Sequence, residues 1–274
     1  MTATRILALS GLVLAGVGCF DALLEAPFVL TTGLGSSHSV VPSVRESMLV
    51  ASDQGIWEIG STGEKDLIHT QRSLDVATHP DRIYILEESK SGERRIRWGS
   101  FSAGDSSLRL DHERDAEGVS DLQAWCNGQV LLAADTDLLL WTPEDGTVQV
   151  YAKNLPSVRS AHLGPSVDCE TSLVLTHDSL IEVSPESQEV LFSGLINPRG
   201  VALDPWARTW LVAGEPPILY LAVEGRLELV ARYLGDPRSI HFGTEGWLPP
   251  DHIFLVDGEG TLDYLKVPPP LASR

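Results

Sequence analysis

Five basic residues, His38, Arg72, Arg159, Arg199 and Arg238, each stand one place before a small residue that opens a short apolar run. Guanidinium groups gathered from separate stretches can hold a carboxylate, a phosphate or an acidic glycan through forked, charge-assisted hydrogen bonds. The acids that close the following apolar runs, Asp53, Glu87, Asp135, Glu215 and Asp257, supply a competing arrangement. If each run is a strand and the next returns antiparallel to it, the start of one lies beside the end of the other. Arg199 would then pair with Glu215 and Arg238 with Asp257, giving a belt of ion pairs in place of an anion site. The sequence leaves both arrangements open.

His162 and His241 follow their arginines by three residues, as Asp75 follows Arg72. Imidazoles and a carboxylate are metal-ligand types. No HExxH or CxxC spacing accompanies them, and they belong to units that face one another only across a channel, so polar or core roles are expected and no metal or other cofactor is assigned. Cys126 and Cys169 fall in equivalent turns of neighbouring units, which predicts a disulfide in an oxidising compartment. Asn127, Asn154 and Asn197 each fall in a turn, where local backbone chemistry accounts for them. No GxSxG, Walker loop or paired catalytic carboxylates stand out.

The elements that would position these groups are short strands. The chain has 274 residues with 24 Gly and 17 Pro, a mix that suits many strands joined by tight turns. Its net charge of −18 argues against nucleic acid and anionic membrane surfaces as non-specific partners. Six units of roughly 38 to 43 residues recur, the period of a propeller blade. They start at Phe28, Asp66, Leu108, Val148, Glu189 and Glu228. Each holds a small-residue turn and inner strand, a continuous apolar second strand such as Ile83 to Leu86 or Trp210 to Ala213, a third strand and an amphipathic outer one. Trp57, Trp98, Trp141, Tyr220 and Tyr264 recur on third strands, which points to packing between blades. The last unit lacks a fourth strand and Phe28 to Leu30 is a spare one. The predicted fold is therefore all-β: a six-bladed propeller of four-stranded antiparallel blades, closed by the N-terminal strand pairing into the last blade.

Asn197 to Pro205, reading NPRGVALDP, with Trp210 to Ala213 behind it, resembles the NHL-repeat-like and TolB-like six-bladed propellers. Asp236 to His241 followed by Ile253 to Gly258 is similar. The resemblance covers Phe28 to Val267, closely only in units five and six, and implies a fold without a particular chemistry. Enzymes of the gluconolactonase and paraoxonase type share that fold and hold a divalent cation in the channel with Glu, Asn and Asp. No such set can be placed on this sequence residue by residue.

Met1 to Gly18 carries one charge, Arg5, then an apolar run too short to span a bilayer. It ends in Gly16-Val-Gly-Cys19 and resembles a bacterial lipobox, with Gly16 where Leu is usual. The predicted organisation is a signal peptide over 1–18, lipidation of Cys19, a tether over 19–27, the propeller over 28–268 and a tail over 269–274. These readings predict a monomeric, lipid-anchored, extracytoplasmic propeller, on the periplasmic face or the cell surface. It would catalyse nothing and bind an envelope protein or a small anionic ligand at the propeller face. The alternatives are a metal-dependent hydrolase or lactonase of the gluconolactonase type and an envelope assembly scaffold.

Overall fold

The computed structural model describes residues 28–102, 107–163, 169–223, 225–232, 235–243 and 249–270. Cys19 and the predicted signal peptide lie outside the described residues.

The chain opens with β1 (Phe28–Thr31). Blade 1 follows as β2 (Ser37–Pro42), β3 (Met48–Ser52), β4 (Gly55–Ile59) and β5 (Lys65–His69). Blade 2 is β6 (Ser73–His79), β7 (Arg82–Glu88), β8 (Arg94–Phe101) and β9 (Leu108–Asp115). Blade 3 is β10 (Val119–Ala124), β11 (Val130–Ala134), β12 (Asp137–Trp141) and β13 (Val148–Ala152). Blade 4 is β14 (Ser160–Leu163), β15 (Ser172–Leu175), β16 (Ser179–Val183) and β17 (Gln188–Ser193). Blade 5 is β18 (Pro198–Leu203), β19 (Thr209–Gly214), β20 (Pro217–Val223) and β21 (Arg226–Arg232). Blade 6 is β22 (Pro237–Phe242), β23 (His252–Asp257) and β24 (Leu262–Lys266), completed by β1.

The predicted six blades and their closure are therefore the observed fold. Each blade is an antiparallel meander, and β1 pairs with β24 through Phe28 opposite Tyr264 and Thr31 opposite Leu262. That pairing covers the edge blade 6 would otherwise expose and ties the chain's start to its last strands.

The second strands are buried on both faces, which is why they read as unbroken apolar runs: every residue of Met48–Ser52 is buried, as are Ile83 to Glu87. The core lies between blades. Leu86, Ile96 and Tyr84 of blade 2 pack with Leu132 and Trp141 of blade 3, and Trp210 and Leu219 of blade 5 pack with Ile253 and Leu265 of blade 6. Third-strand aromatics take part: Trp98 meets Trp141 edge-on, ring centroids 4.8 Å apart, and the Trp57 indole N–H donates to Leu34 O at 2.8 Å. Cys126 and Cys169 stand on the same side of blades 3 and 4 with Cα atoms 6.1 Å apart and their sulfurs in contact.

A repeated irregularity shapes the channel. In five inner strands the pairing with the second strand slips near its start, between Ser37 and Ser39, Ser73 and Asp75, Val119 and Asp121, Pro198 and Gly200, and Pro237 and Ser239. Each slip is a β-bulge that turns the extra residue, and the one after it, toward the axis.

Candidate active site in the central channel

The bulges set four tiers of side chains along the channel wall. The first tier is His38, Leu74, Ser120, Arg159, Arg199 and Arg238; the second is Ser39, Asp75, Asp121, Ser160, Gly200 and Ser239. The third consists of apolar residues from Val40 round to Ile240, and the fourth includes Gln123, His162 and His241. Together they enclose a cavity of about 140 Å³.

This register corrects the sequence reading in blade 2. Arg72 precedes Ser73 as Arg199 precedes Gly200, and so reads as its equivalent. The bulge in blade 2 instead falls on Leu74, because Ser73 pairs with Glu87 as the first rung of the ladder, whereas Gly200 comes after the bulge. A small residue can occupy either place, and sequence alone does not say which. Arg72 therefore lies outside the channel, bonded to Glu88 and, through Nε at 2.8 Å, to Asp53. Asp75 joins the second tier and leaves the histidines.

In the second tier Asp75 meets Asp121, the residue the sequence reading missed. The two carboxyls hydrogen-bond each other, so one of them carries a proton. The aligned pair was legible in Leu74-Asp75-Val76 against Ser120-Asp121-Leu122 once the bulges are aligned. Burial pushes both carboxyls above the ordinary aspartate range, and for Asp121 the adjacent Asp75 pushes further, well above it. Asp75 is the partner with more hydrogen-bond donors. It accepts from Val76 N–H at 2.8 Å and from Leu122 N–H at 2.6 Å, and Ser39 adds a side-chain hydrogen bond. Asp121 accepts one backbone donor, Ala161 N–H at 2.8 Å. The proton accordingly rests on Asp121.

These contacts belong to a belt. Inner strands turn unpaired N–H groups toward the channel, and at three of the six seams the second-tier side chain of the preceding blade meets the third-tier N–H of the next: Asp75 with Leu122, Asp121 with Ala161, and Ser239 with Val40 at 3.4 Å. A serine suffices for that role. Two adjacent carboxylic acids go beyond what the belt requires and bring like-charge repulsion with them.

The fourth tier also converges. His162 and His241 come from blades 4 and 6, and their ring centroids are 5.7 Å apart. Such contact was not expected of residues set across the channel. His241 Nδ1 lies 2.8 Å from Phe242 O and so carries the proton, which leaves Nε2 as a bare lone pair. Burial, with His162 adding to it, lowers the His241 imidazole to about 4.

The mouth is electrically lopsided. On the blade 1 and 2 side, His38 sits 2.9 Å from Asp53, and Arg72 is neutralised as described. On the other side Arg199 and Arg238 share one carboxylate, Asp236, with Arg199 at 3.9 Å and Arg238 in direct contact. Among the described residues Arg159 donates to neutral acceptors, Asn197 Oδ1 at 2.9 Å and Pro198 O at 3.3 Å. The expected partners are otherwise arranged. Asp257 accepts its own turn amides, from Glu259 and Thr261, and Glu215 forms no ion pair among the described residues.

The described residues of the channel wall do not fit a divalent cation. Among the described residues no group of three or more His, Cys, Asp or Glu is placed to hold one. The second-tier carboxylates share a proton and receive backbone N–H donors, and Asn127, Asn154 and Asn197 sit in turns with positive φ.

Neither a family model nor a curated protein matches the chain. Solved structures do. A gluconolactonase of Xanthomonas campestris superposes with a TM-score of 0.71 at 16% identity over 90% of this chain and 91% of its own. A putative oxidoreductase (glucose dehydrogenase) of Thermus thermophilus gives 0.69 at 13% identity, covering 88% and 99%. The PQQ-bound aldose sugar dehydrogenase of Streptomyces coelicolor gives 0.68 at 14%, covering 89% and 97%. These three fold neighbours are named as enzymes. At these identities the likeness is one of fold, and we assign no residue of this channel to a quinone. The names nonetheless overturn the expectation of a non-catalytic binding protein, in favour of the enzyme alternative. The proton-sharing aspartates weigh the same way.

Proposed function

We propose that this propeller is a hydrolase whose reacting groups are Asp75 and Asp121, acting on an ester or lactone bound in the channel. The observation that carries the reading is the hydrogen bond between two carboxyls held at different protonation tendencies in one cavity. The Asp75 carboxylate takes a proton from water as the water oxygen bonds to the carbonyl carbon. Asp121 gives its proton to the carbonyl oxygen. On collapse the bond to the leaving oxygen breaks, Asp75 returns its proton to that oxygen, and one hydroxyl of the intermediate reprotonates Asp121. One water is consumed, an acid and an alcohol leave, and the pair is restored.

General acid–base groups of this kind contribute about 10²–10⁴-fold. Purified protein assayed on p-nitrophenyl esters and aldonolactones between pH 5 and 8 tests the reading. Turnover in the wild type that drops at least about 100-fold in Asp121→Asn, with the melting curve retained, is expected. Equal turnover in the variant would sink it.

We also propose that the chain is a lipoprotein of the NHL-repeat-like and TolB-like propeller group, anchored through Cys19. One row of cross-strand partners, Phe28 to Tyr264 to Phe254 to His241, puts the start of β1 at the end of blade 6 away from Arg238. The eight residues from Phe20 to Pro27 reach at most about 28 Å. An anchor there would hold the channel mouth facing away from the membrane. Cys19→Ser should move the protein from the membrane to the soluble fraction, and unchanged sedimentation with membranes counts against the anchor.

A further inference from the structure

The belt of second-tier side chains is interrupted once, and the gap falls beside the cationic side of the mouth. Gly200 occupies the second tier of blade 5. A Cβ at this position would stand 2.9 Å from Ile240 Cγ2 and 3.2 Å from Ile240 N. The Gly243 N–H donates to His252 O, which sets the ladder between β22 and β23. In that register Ile240 faces Leu255 in a non-hydrogen-bonded pair, and its N–H turns to the channel edge. Leu122, Ala161 and Val40 in the same tier each find an acceptor on the preceding blade. Gly200 has no side chain to offer Ile240.

Arg199 and Arg238 line the same channel from blades 5 and 6, their guanidinium groups lying against Gly214 and Gly258 at the ends of the second strands, with Arg159 one blade away. Among the described residues Asp236 is the carboxylate in ion-pair range of Arg199 and Arg238, with Glu215 acting on Arg199 only at longer range. Burial, and then the proximity of Arg238, hold the Arg199 guanidinium below its ordinary value, as in a cationic cluster short of counter-charge. Across the channel from blades 5 and 6, blades 2 and 3 present Leu74 and Ser120 at the mouth and the aspartate pair beneath.

We propose that the gap at Gly200 is the anchoring site for a small carboxylate, one oxygen taken by the Ile240 N–H and the other by Arg199, with Arg238 and Arg159 supplying the surrounding positive potential. A guanidinium and one backbone N–H match the two oxygens of a planar carboxylate. This deepens the hydrolase reading and rests on it for the word substrate. A molecule anchored there has its far end turned toward Asp75 and Asp121, so the substrate class is a carboxylate-bearing ester or lactone.

The test is a titration of ¹⁵N-labelled full-length protein with sodium butyrate, against butyramide, followed at the Ile240 amide. The expected result is a saturable downfield shift of the Ile240 proton with butyrate and none with butyramide. Arg199→Gln should raise the half-saturating concentration at least about tenfold, while Asp121→Asn leaves it unchanged or lower. An Ile240 resonance that does not saturate, or that responds alike to both compounds, overturns the proposal without any variant. Should Arg199→Gln not fold, Arg238→Gln serves, with a weakening expected and none overturning it. The two readings separate cleanly. Loss of turnover in Asp121→Asn with no butyrate response at Ile240 leaves the hydrolase and removes the anchor. A butyrate response with equal turnover in Asp121→Asn does the reverse.

Discussion

Asp121 hydrogen-bonds Asp75 across the seam between blades 2 and 3, and each also accepts a backbone N–H from the blade that follows. One contact thus joins the ring's structural belt to its most unusual electrostatics. The belt asks only for an acceptor, as Ser239 demonstrates. The second carboxyl adds a proton whose position responds to pH.

That proton has a stability signature. Well below pH 4 both carboxyls are neutral, folded or unfolded. As pH rises the unfolded chain ionises freely, whereas the folded pair, raised by burial and mutual repulsion, retains its proton. The folded state binds more protons over that window, so the pair's contribution to stability falls from about pH 4 upward until the raised folded values are passed. Asp121→Asn keeps an acceptor for Ala161 and offers Asp75 a donor. Its melting temperature should match or trail the wild type at pH 4 and exceed it at pH 8, by about 1–3 kcal/mol in stability. Parallel melting curves across that range would remove the shared proton.

His241 acts in the opposite direction. Its folded value near 4 lies below an unfolded value of about 6.5. The unfolded state binds more protons between those limits, so the stability gained by keeping the ring neutral is complete above pH 6.5 and is lost as pH falls toward 4. His241→Asn, which can still donate to Phe242 O, should flatten this acid limb. Ring titration followed by NMR gives the direct check: a midpoint near 6.5 would show that His162 and burial exert no such effect.

The ring, its six blades and its closing strand were legible because they rest on periodicity. Apolar second strands such as Ile83 to Leu86 and the pairing of small residues with turns recur whatever the loops do. The channel was legible only in part. Arg159, Arg199 and Arg238 were found by their place before a small residue, and all three reach the wall. Arg72 satisfied the same rule and does not, since the rule counts residues and a bulge shifts the count. The same slip hid Asp121 and set Asp75 with the wrong partners. The Arg199–Glu215 pairing failed for a related reason: strand ends were read as flush, whereas Asp236, in the loop before β22, lies closer to the guanidinium.

Gly200 carries a steric prediction independent of any ligand. Its φ is not in the left-handed region, so the requirement for glycine comes from space alone. In Gly200→Ala the new methyl would press on Ile240 Cγ2 and, from the other side, on Val212 Cγ1 at 3.3 Å. Both belong to the packed interface of blades 5 and 6. Overpacking of this kind costs about 1–3 kcal/mol. Chemical denaturation should register that loss, and a stability equal to wild type would show that blades 5 and 6 can part without penalty. The Ile240 amide would be covered by the same methyl, so any butyrate response should disappear as well.

The cysteines give the last prediction. Cys126 and Cys169 are 43 residues apart in sequence and hold the turn regions of blades 3 and 4 at a Cα separation of 6.1 Å, within the range a disulfide spans. A crosslink closing a loop of that length restricts the unfolded chain by about 4 kcal/mol in the chain-entropy model, and measured values run about 2–5 kcal/mol. Around it, Trp125 stacks edge-on with Tyr151 at 5.4 Å, and Tyr151 in turn donates to Glu170 O at 2.8 Å, so the two blades are already held in place near the bridge. Reduction should therefore lower the unfolding midpoint while leaving the folded ring intact at room temperature. Cys126→Ser should reproduce that shift under oxidising conditions and be insensitive to reductant. The wild-type protein, denatured without reductant, should leave a thiol reagent unreacted at both positions. Reaction of Cys126 and Cys169 under those conditions would mean that the contact is made by free thiols, and the predicted loss on reduction would then vanish with it.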